Sequence, residues 1–251
     1  MKFVLSGGGV RGFAHVGVLQ AMKEQGITPS AISATSAGSI VGAFIADGFS
    51  PEEIKELLLK KIGLRILFQM DRSGVITLNK FGDFMRKNLR HKRLEDLPIP
   101  LHVATTNFID GRQQVFSSGD IVDTVLAACS IPGLFPPVFI DKVPYVDGGL
   151  CNNLPVEPFE DCKQEVIAVY VNPIAPFSAS SSMIQTLDRT FHLSFVHTVR
   201  RSAAGCLMYI EPPELHQFAL FEVPKLSAVY EVGYAYAKKV LQDKNQSHPP
   251  P

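Results

Sequence analysis

Two short segments of this chain carry residue types suited to acyl-transfer chemistry. Residues 6–12 read Ser6-Gly7-Gly8-Gly9-Val10-Arg11-Gly12, and residues 34–38 read Ala34-Thr35-Ser36-Ala37-Gly38. Consecutive glycines leave main-chain N–H groups bare, and such groups can converge on a developing negative charge. A serine among small residues at a strand-to-helix turn presents its hydroxyl as a nucleophile. Taken alone, Ser36 reads equally well as a helix N-cap. Beside the glycine cluster the nucleophile reading is the better one. Arg11 either orients the glycine loop and adds positive charge or is an ordinary arginine in the first turn of a helix.

The same cluster also satisfies G-x-G-x-x-G through Gly7, Gly9 and Gly12. A dinucleotide site needs an acidic residue about 20 positions further on to hold the ribose. None occurs between Glu24 and Asp47, and the Gly-Lys-Ser/Thr of a phosphate-binding loop is absent. A nucleotide is therefore disfavoured.

A serine hydroxyl requires a proton acceptor. None of the seven histidines stands in a telling context, and His192 and His197 are at the wrong interval to share one helical face. The more pointed candidate is Asp147, in Val143-Pro144-Tyr145-Val146-Asp147-Gly148-Gly149. At the end of an apolar strand its carboxylate would be partly desolvated, which raises its proton affinity towards that of a useful base. On its own, Asp-Gly-Gly is also an ordinary turn signal.

These residues need elements to hold them. Apolar runs at 2–5, 31–35 and 165–171 read as strands, and 101–107 and 113–117 as a hairpin across Asp110-Gly111. Helical patterns cover 11–25, 37–47, 79–89, 120–129, 182–200 and 227–243. Ser50-Pro51-Glu52-Glu53 is a capping box that opens another, to Lys61. Residues 131–144 read as a proline-rich loop. The alternation predicts a single α/β domain over 1–243 with a mostly parallel sheet, followed by a disordered tail, 244–251.

The chain has 251 residues, 46% of them hydrophobic and 19% charged, with a net charge of +0. That composition supports a packed core and offers no basic field for nucleic acid. Four scattered cysteines form no Cys-x-x-Cys pair, so reduced thiols are expected. The opening residues do not read as a secretory leader, and no apolar run of about 18 residues is present. A cytoplasmic protein is expected, peripheral at the inner membrane face where it touches lipid. The segments 57–68 and 215–221 mix large apolar and polar residues; they read first as core, with membrane contact and an acyl channel as their functional alternatives.

Four blocks in order resemble the patatin-like phospholipase family: Gly7 to Gly12, the elbow at 34–38, Ser130-Ile131-Pro132-Gly133-Leu134-Phe135-Pro136-Pro137, and Asp147-Gly148-Gly149. The resemblance runs from Phe3 to about Val171. It implies a three-layer α/β fold with a mostly parallel central sheet flanked by helices. It also implies a Ser–Asp dyad, with Ser36 as nucleophile and Asp147 as base. The oxyanion hole would be formed by Gly8 and Gly9 with Gly7 or Arg11, supported by Gly12, Gly38, Pro132, Gly133, Gly148 and Gly149. The implied activity is hydrolysis of a phospholipid, lysophospholipid or simpler acyl ester through an acyl-serine, without metal or organic cofactor. The sequence departs from the family pattern at Ala34, where glycine is usual. Two other readings stay open: a Ser–His–Asp hydrolase and a catalytically silent lipid- or acyl-binding protein.

Overall fold

The computed structural model describes residues 1–61, 69–70, 76–174 and 183–246. The uninterrupted apolar runs become strands buried on both faces, as parallel strands between helical layers must be. Side chains alternate between two cores. Phe3, Leu5, Ile167 and Val169 enter one cluster, and Val4, Ala168 and Tyr170 the other.

The strands in chain order are β1 (Lys2–Leu5), β2 (Ala31–Thr35), β3 (Gln69–Met70), β4 (Ile76–Thr77), β5 (Leu101–Asn107), β6 (Gln113–Phe116), β7 (Val138–Ile140), β8 (Val143–Asp147), β9 (Val166–Val169) and β10 (Met208–Ile210). β3 and β4 form a separate antiparallel ribbon. The main sheet runs β10-β9-β1-β2-β5-β8-β7, with β6 also paired to β5. Its first five strands are parallel, whereas β6, β8 and β7 pair antiparallel.

The helices are α1 (Ala14–Glu24), α2 (Ser36–Ala46), α3 (Pro51–Lys61), α4 (Asn79–Asn88), α5 (Ile121–Cys129), α6 (Met183–Ala203) and α7 (Leu226–Gln246). One sheet face packs against residues from α1 to α5 and α7, and the other against Phe159 and, from α6, Phe195 and Val199. The capping box forms as read: Ser50 N–H donates to Glu53 Oε2 at 2.7 Å, and Glu53 N–H to Ser50 Oγ at 3.2 Å.

Among the boundaries that differ from expectation, three concern the glycine loop, the proline-rich segment and the C-terminal helix. The helix expected from residue 11 begins as a 3-10 turn over Gly9–Phe13, because the glycines carry the chain through non-helical angles first. The proline-rich segment contains β7, paired with β8. Helix α7 runs to Gln246, so the first residues of the expected tail are helical; 247–251 lie outside the described residues.

The pairing of β5 is what assembles the site. β2 pairs with its residues 101–104, β8 with 105–107, and β6 with 103–106. Since β6 overlaps both partners, β2 and β8 must share the opposite edge, end to end. Ala104 faces Thr35 and Thr105 faces Asp147. The chain leaves β2 at Ser36, so the register alone brings Ser36 and Asp147 together.

Candidate active site

Ser36 begins α2 with φ +49°, in the left-handed region that side-chain-bearing residues rarely adopt. The turn is tight because α2 lies on the end of β1. A Cβ on Gly38 would stand 2.5 Å from the carbonyl oxygens of both Leu5 and Ser6. Ala34, at the position where glycine is usual, points its methyl at Gly42 of α2; a Cβ there would be 3.6 Å from it. The strand and helix approach closely across Gly42, and the extra methyl is accommodated.

Asp147 is buried, and its Oδ1 accepts from the Gly149 N–H at 2.8 Å. The Ser36 side chain adjoins it in the same small cavity. Burial raises the carboxyl to about 6, and its polar neighbours Ser36 and Gly149 restrain the rise. The seam is fastened by hydroxyls: Thr35 Oγ1 donates to Ala104 O and Thr106 Oγ1 to Asp147 O, each at 2.9 Å. Gly148 sits in that seam, where a Cβ would be 2.6 Å from Thr35 Oγ1.

The glycine loop lies beside this pair. Gly7 donates its N–H to Asn153 Oδ1 at 3.1 Å and accepts from Asn172 Nδ2 at 2.7 Å. Arg11 donates its N–H to Gly8 O at 3.0 Å and its Nε to Phe218 O at 2.7 Å. Among the described residues, no hydrogen bond is drawn from the N–H of Gly8 or Gly9. Both glycines line a small cavity with Ser36, Asp147, Asn153 and Asn172. The two glycine amides suited to an oxyanion are thus those of Gly8 and Gly9, while those of Gly7 and Arg11 hold the loop in place. Gly12 packs against the Ala37 methyl, which fixes the loop to the elbow.

A second, apolar cavity of about 120 Å³ opens from Ser36 and is lined by Val41, Leu58, Phe81, Phe135, Phe221 and Leu226, among others. Ile131 lines both cavities. In the 131–135 turn the N–H groups of Leu134 and Phe135 donate to Ile131 O at 3.1 and 3.0 Å, with Gly133 at φ +85°. Pro132 and Gly133 therefore shape the turn, and Ile131 and Phe135 form the wall. Of the segments weighed for lipid contact, Leu58, Leu220 and Phe221 line the cavities and Leu215 is core; 62–68 lie outside the described residues.

None of His15, His91, His102, His197 and His216 lines either cavity. His15 is fully buried, and burial lowers it to about 4. As a neutral imidazole its Nε2 donates to Ser6 O at 2.8 Å, so it braces the strand end beneath the glycines. Reading the sequence missed Asn153 and Asn172, which grip Gly7 from both sides. One positional signal was available: Asn172 follows the carboxyl end of β9, and parallel sheets gather ligands at those ends.

A family model described as "Patatin-like phospholipase" matches residues 3–160, well over half of the chain. The chain belongs to the patatin-like phospholipase family. Among curated members, it is 31% identical to "Lysophospholipase NTE1" of Kluyveromyces lactis, over 98% of this chain and 20% of that protein. The Saccharomyces cerevisiae protein of the same name is 30% identical, over 95% and 16%. The chain thus spans about a fifth of these relatives' length. A solved structure, VipD from Legionella pneumophila, superposes with a TM-score of 0.61 at 17% identity, covering 96% of this chain and 66% of that one. At that identity it speaks for the patatin-like fold alone.

Proposed function

We propose that this patatin-like protein is a serine-dependent lipid acyl hydrolase working through a Ser36–Asp147 dyad. One observation carries the reading. The Ser36 hydroxyl and the buried Asp147 carboxyl line one small cavity with Gly8 and Gly9, and Ser36 also lines the apolar cavity beside it. Asp147 takes the proton as Ser36 Oγ attacks the ester carbonyl. Gly8 and Gly9 N–H groups hold the tetrahedral oxyanion, each such donor being worth roughly 3–4 kcal/mol in comparable sites. As the intermediate collapses, the alcohol leaves with the proton from Asp147, and the acyl group stays on Ser36. Asp147 then deprotonates water, which releases the fatty acid and restores the serine. No step calls on a metal.

The apolar cavity suits an acyl chain, and the names of the curated relatives favour a lysophospholipid among the possible esters. Neither alternative gains support from the geometry: none of the five histidines lines either cavity, and Ala34 has room opposite Gly42. A cytoplasmic location is part of the proposal. Release of free fatty acid from lysophospholipid, phospholipid and short esters tests it. The native chain should turn over at least one, and label at Ser36 with a fluorophosphonate. Ser36→Ala and Asp147→Asn should both abolish turnover. Activity undiminished in either variant would overturn the dyad.

A further inference from the structure

Nine large apolar side chains are exposed among the described residues, and five of them, Phe108, Ile109, Leu134, Phe139 and Leu150, fall between the end of β5 and the turn after β8. The three most exposed are Ile109 at 72%, Phe139 at 67% and Phe108 at 53%. They sit on the 108–112 turn and, for Phe139, in the middle of β7 in the adjoining β7–β8 hairpin. Strand β5 continues to Asn107, past Ala104 where β2 ends, so both stand farther out along the sheet than Ser36. Phe108 N–H donates to Pro144 O at 2.9 Å, and Phe139 lies opposite Pro144 in the ribbon, which ties the turn and the hairpin into one surface. Leu134 extends it to the site, since it shares a turn with Ile131 and Phe135 of the cavity walls.

Two further features favour a lipid bilayer as the occupant over water or another protein. The 108–112 turn satisfies its own main chain. Ile109 N–H donates to Asn107 Oδ1, Gly111 N–H to Asn107 O and Arg112 N–H to Asp110 Oδ1, each within 3.0 Å. Backbone groups that enter a bilayer need such partners, because nothing there replaces them. The polar residues of the turns, Asp110, Arg112, Asp141 and Lys142, are two acidic and two basic. A surface without net charge matches zwitterionic headgroups and draws little on attraction to anionic lipid.

We infer that this turn and hairpin dock the protein on a bilayer of zwitterionic phospholipid, with Phe108, Ile109 and Phe139 inserted among the headgroups and Ser36 behind them. The inference rests on the lipid-hydrolase reading for its purpose, but its test reads binding separately from turnover. The chain contains no tryptophan, so Phe139→Trp places a single reporter on the surface. With phosphatidylcholine vesicles its emission should shift to the blue and be quenched by brominated acyl chains, unchanged in about 0.5 M sodium chloride. Ile109→Ser with Phe139→Ser should weaken co-sedimentation with those vesicles at least about tenfold. It should lower hydrolysis of vesicle lipid in step, yet leave turnover of a soluble short-chain ester within about twofold of native. Ser36→Ala should bind vesicles like the native chain. Unshifted emission, or undiminished binding by the double variant, would overturn the surface while leaving the hydrolase intact. A native dimer that the double variant breaks would overturn it in favour of self-association. Failure of the soluble ester in the native chain, with vesicle binding as expected, would count against the hydrolase alone.

Discussion

Burial raises the Asp147 carboxyl to about 6, and that shift governs both activity and stability. As the proposed base it must be ionised, so kcat/KM should climb roughly tenfold per pH unit below 6 and level off above it. Stability should run the other way. The unfolded chain releases this proton near 4, the folded chain only near 6. Across that interval the folded state binds more protons, so stability falls as pH rises and stays lower above 6, by about 3 kcal/mol. Asp147→Asn, which cannot ionise, should therefore be inactive and yet melt higher than native at pH 8, the gain vanishing at pH 4. Thermal unfolding at the two pH values measures it. Ser36 carries a second functional cost in its φ of +49°. Ser36→Gly should recover about 1–2 kcal/mol of strain that Ser36→Ala leaves in place. A higher melting temperature for the glycine variant than for the alanine variant would register it.

At the scale of elements, the elbow works because β1 and α2 nearly touch. Gly38→Ala would drive a methyl into the carbonyls of Leu5 and Ser6, which belong to main chain that cannot step aside. It should cost about 3 kcal/mol or more by denaturant titration, whereas the native Ala34 costs little because Gly42 gives way opposite it. The core strands were legible in the sequence because a strand buried on both faces is an uninterrupted apolar run, as in Phe3-Val4-Leu5 or Val166-Ile167-Ala168-Val169. Helix α3 was legible from its cap, which forms bond for bond. The strand β7 was not, because its three residues follow Pro136-Pro137 and gain their partners only from β8. Ser36 and Asp147 could be singled out as types in motifs. Their meeting depends on the register of β5 with two strands, which no local pattern encodes. Asn153 and Asn172 escaped for the same reason: they lie 19 residues apart in the sequence and meet only because the glycine loop lies between them.

The apolar cavity belongs to the whole molecule. Ile40 comes from α2, Leu58 from α3, Phe81 from α4, Phe135 from the turn after α5, Phe221 from the loop before α7, and Leu226 from α7 itself. No segment forms it alone, so its shape is a property of the packed core, while its opening at Ser36 is set by the sheet. If it receives the acyl chain during turnover, each methylene that leaves water should contribute about 0.8 kcal/mol, or roughly fourfold in kcat/KM. A series of esters differing only in acyl length should show that rise until the cavity is full and then flatten. Ile40 lies one helical turn beyond Ser36 and is partly exposed, so a larger side chain there fills space beside Ser36 without overpacking the core. Ile40→Phe should move the plateau to shorter chains, lowering kcat/KM for the longest esters about tenfold or more while sparing the shortest. A uniform loss at every length would instead place the acyl chain outside this cavity and limit the substitution's effect to the elbow.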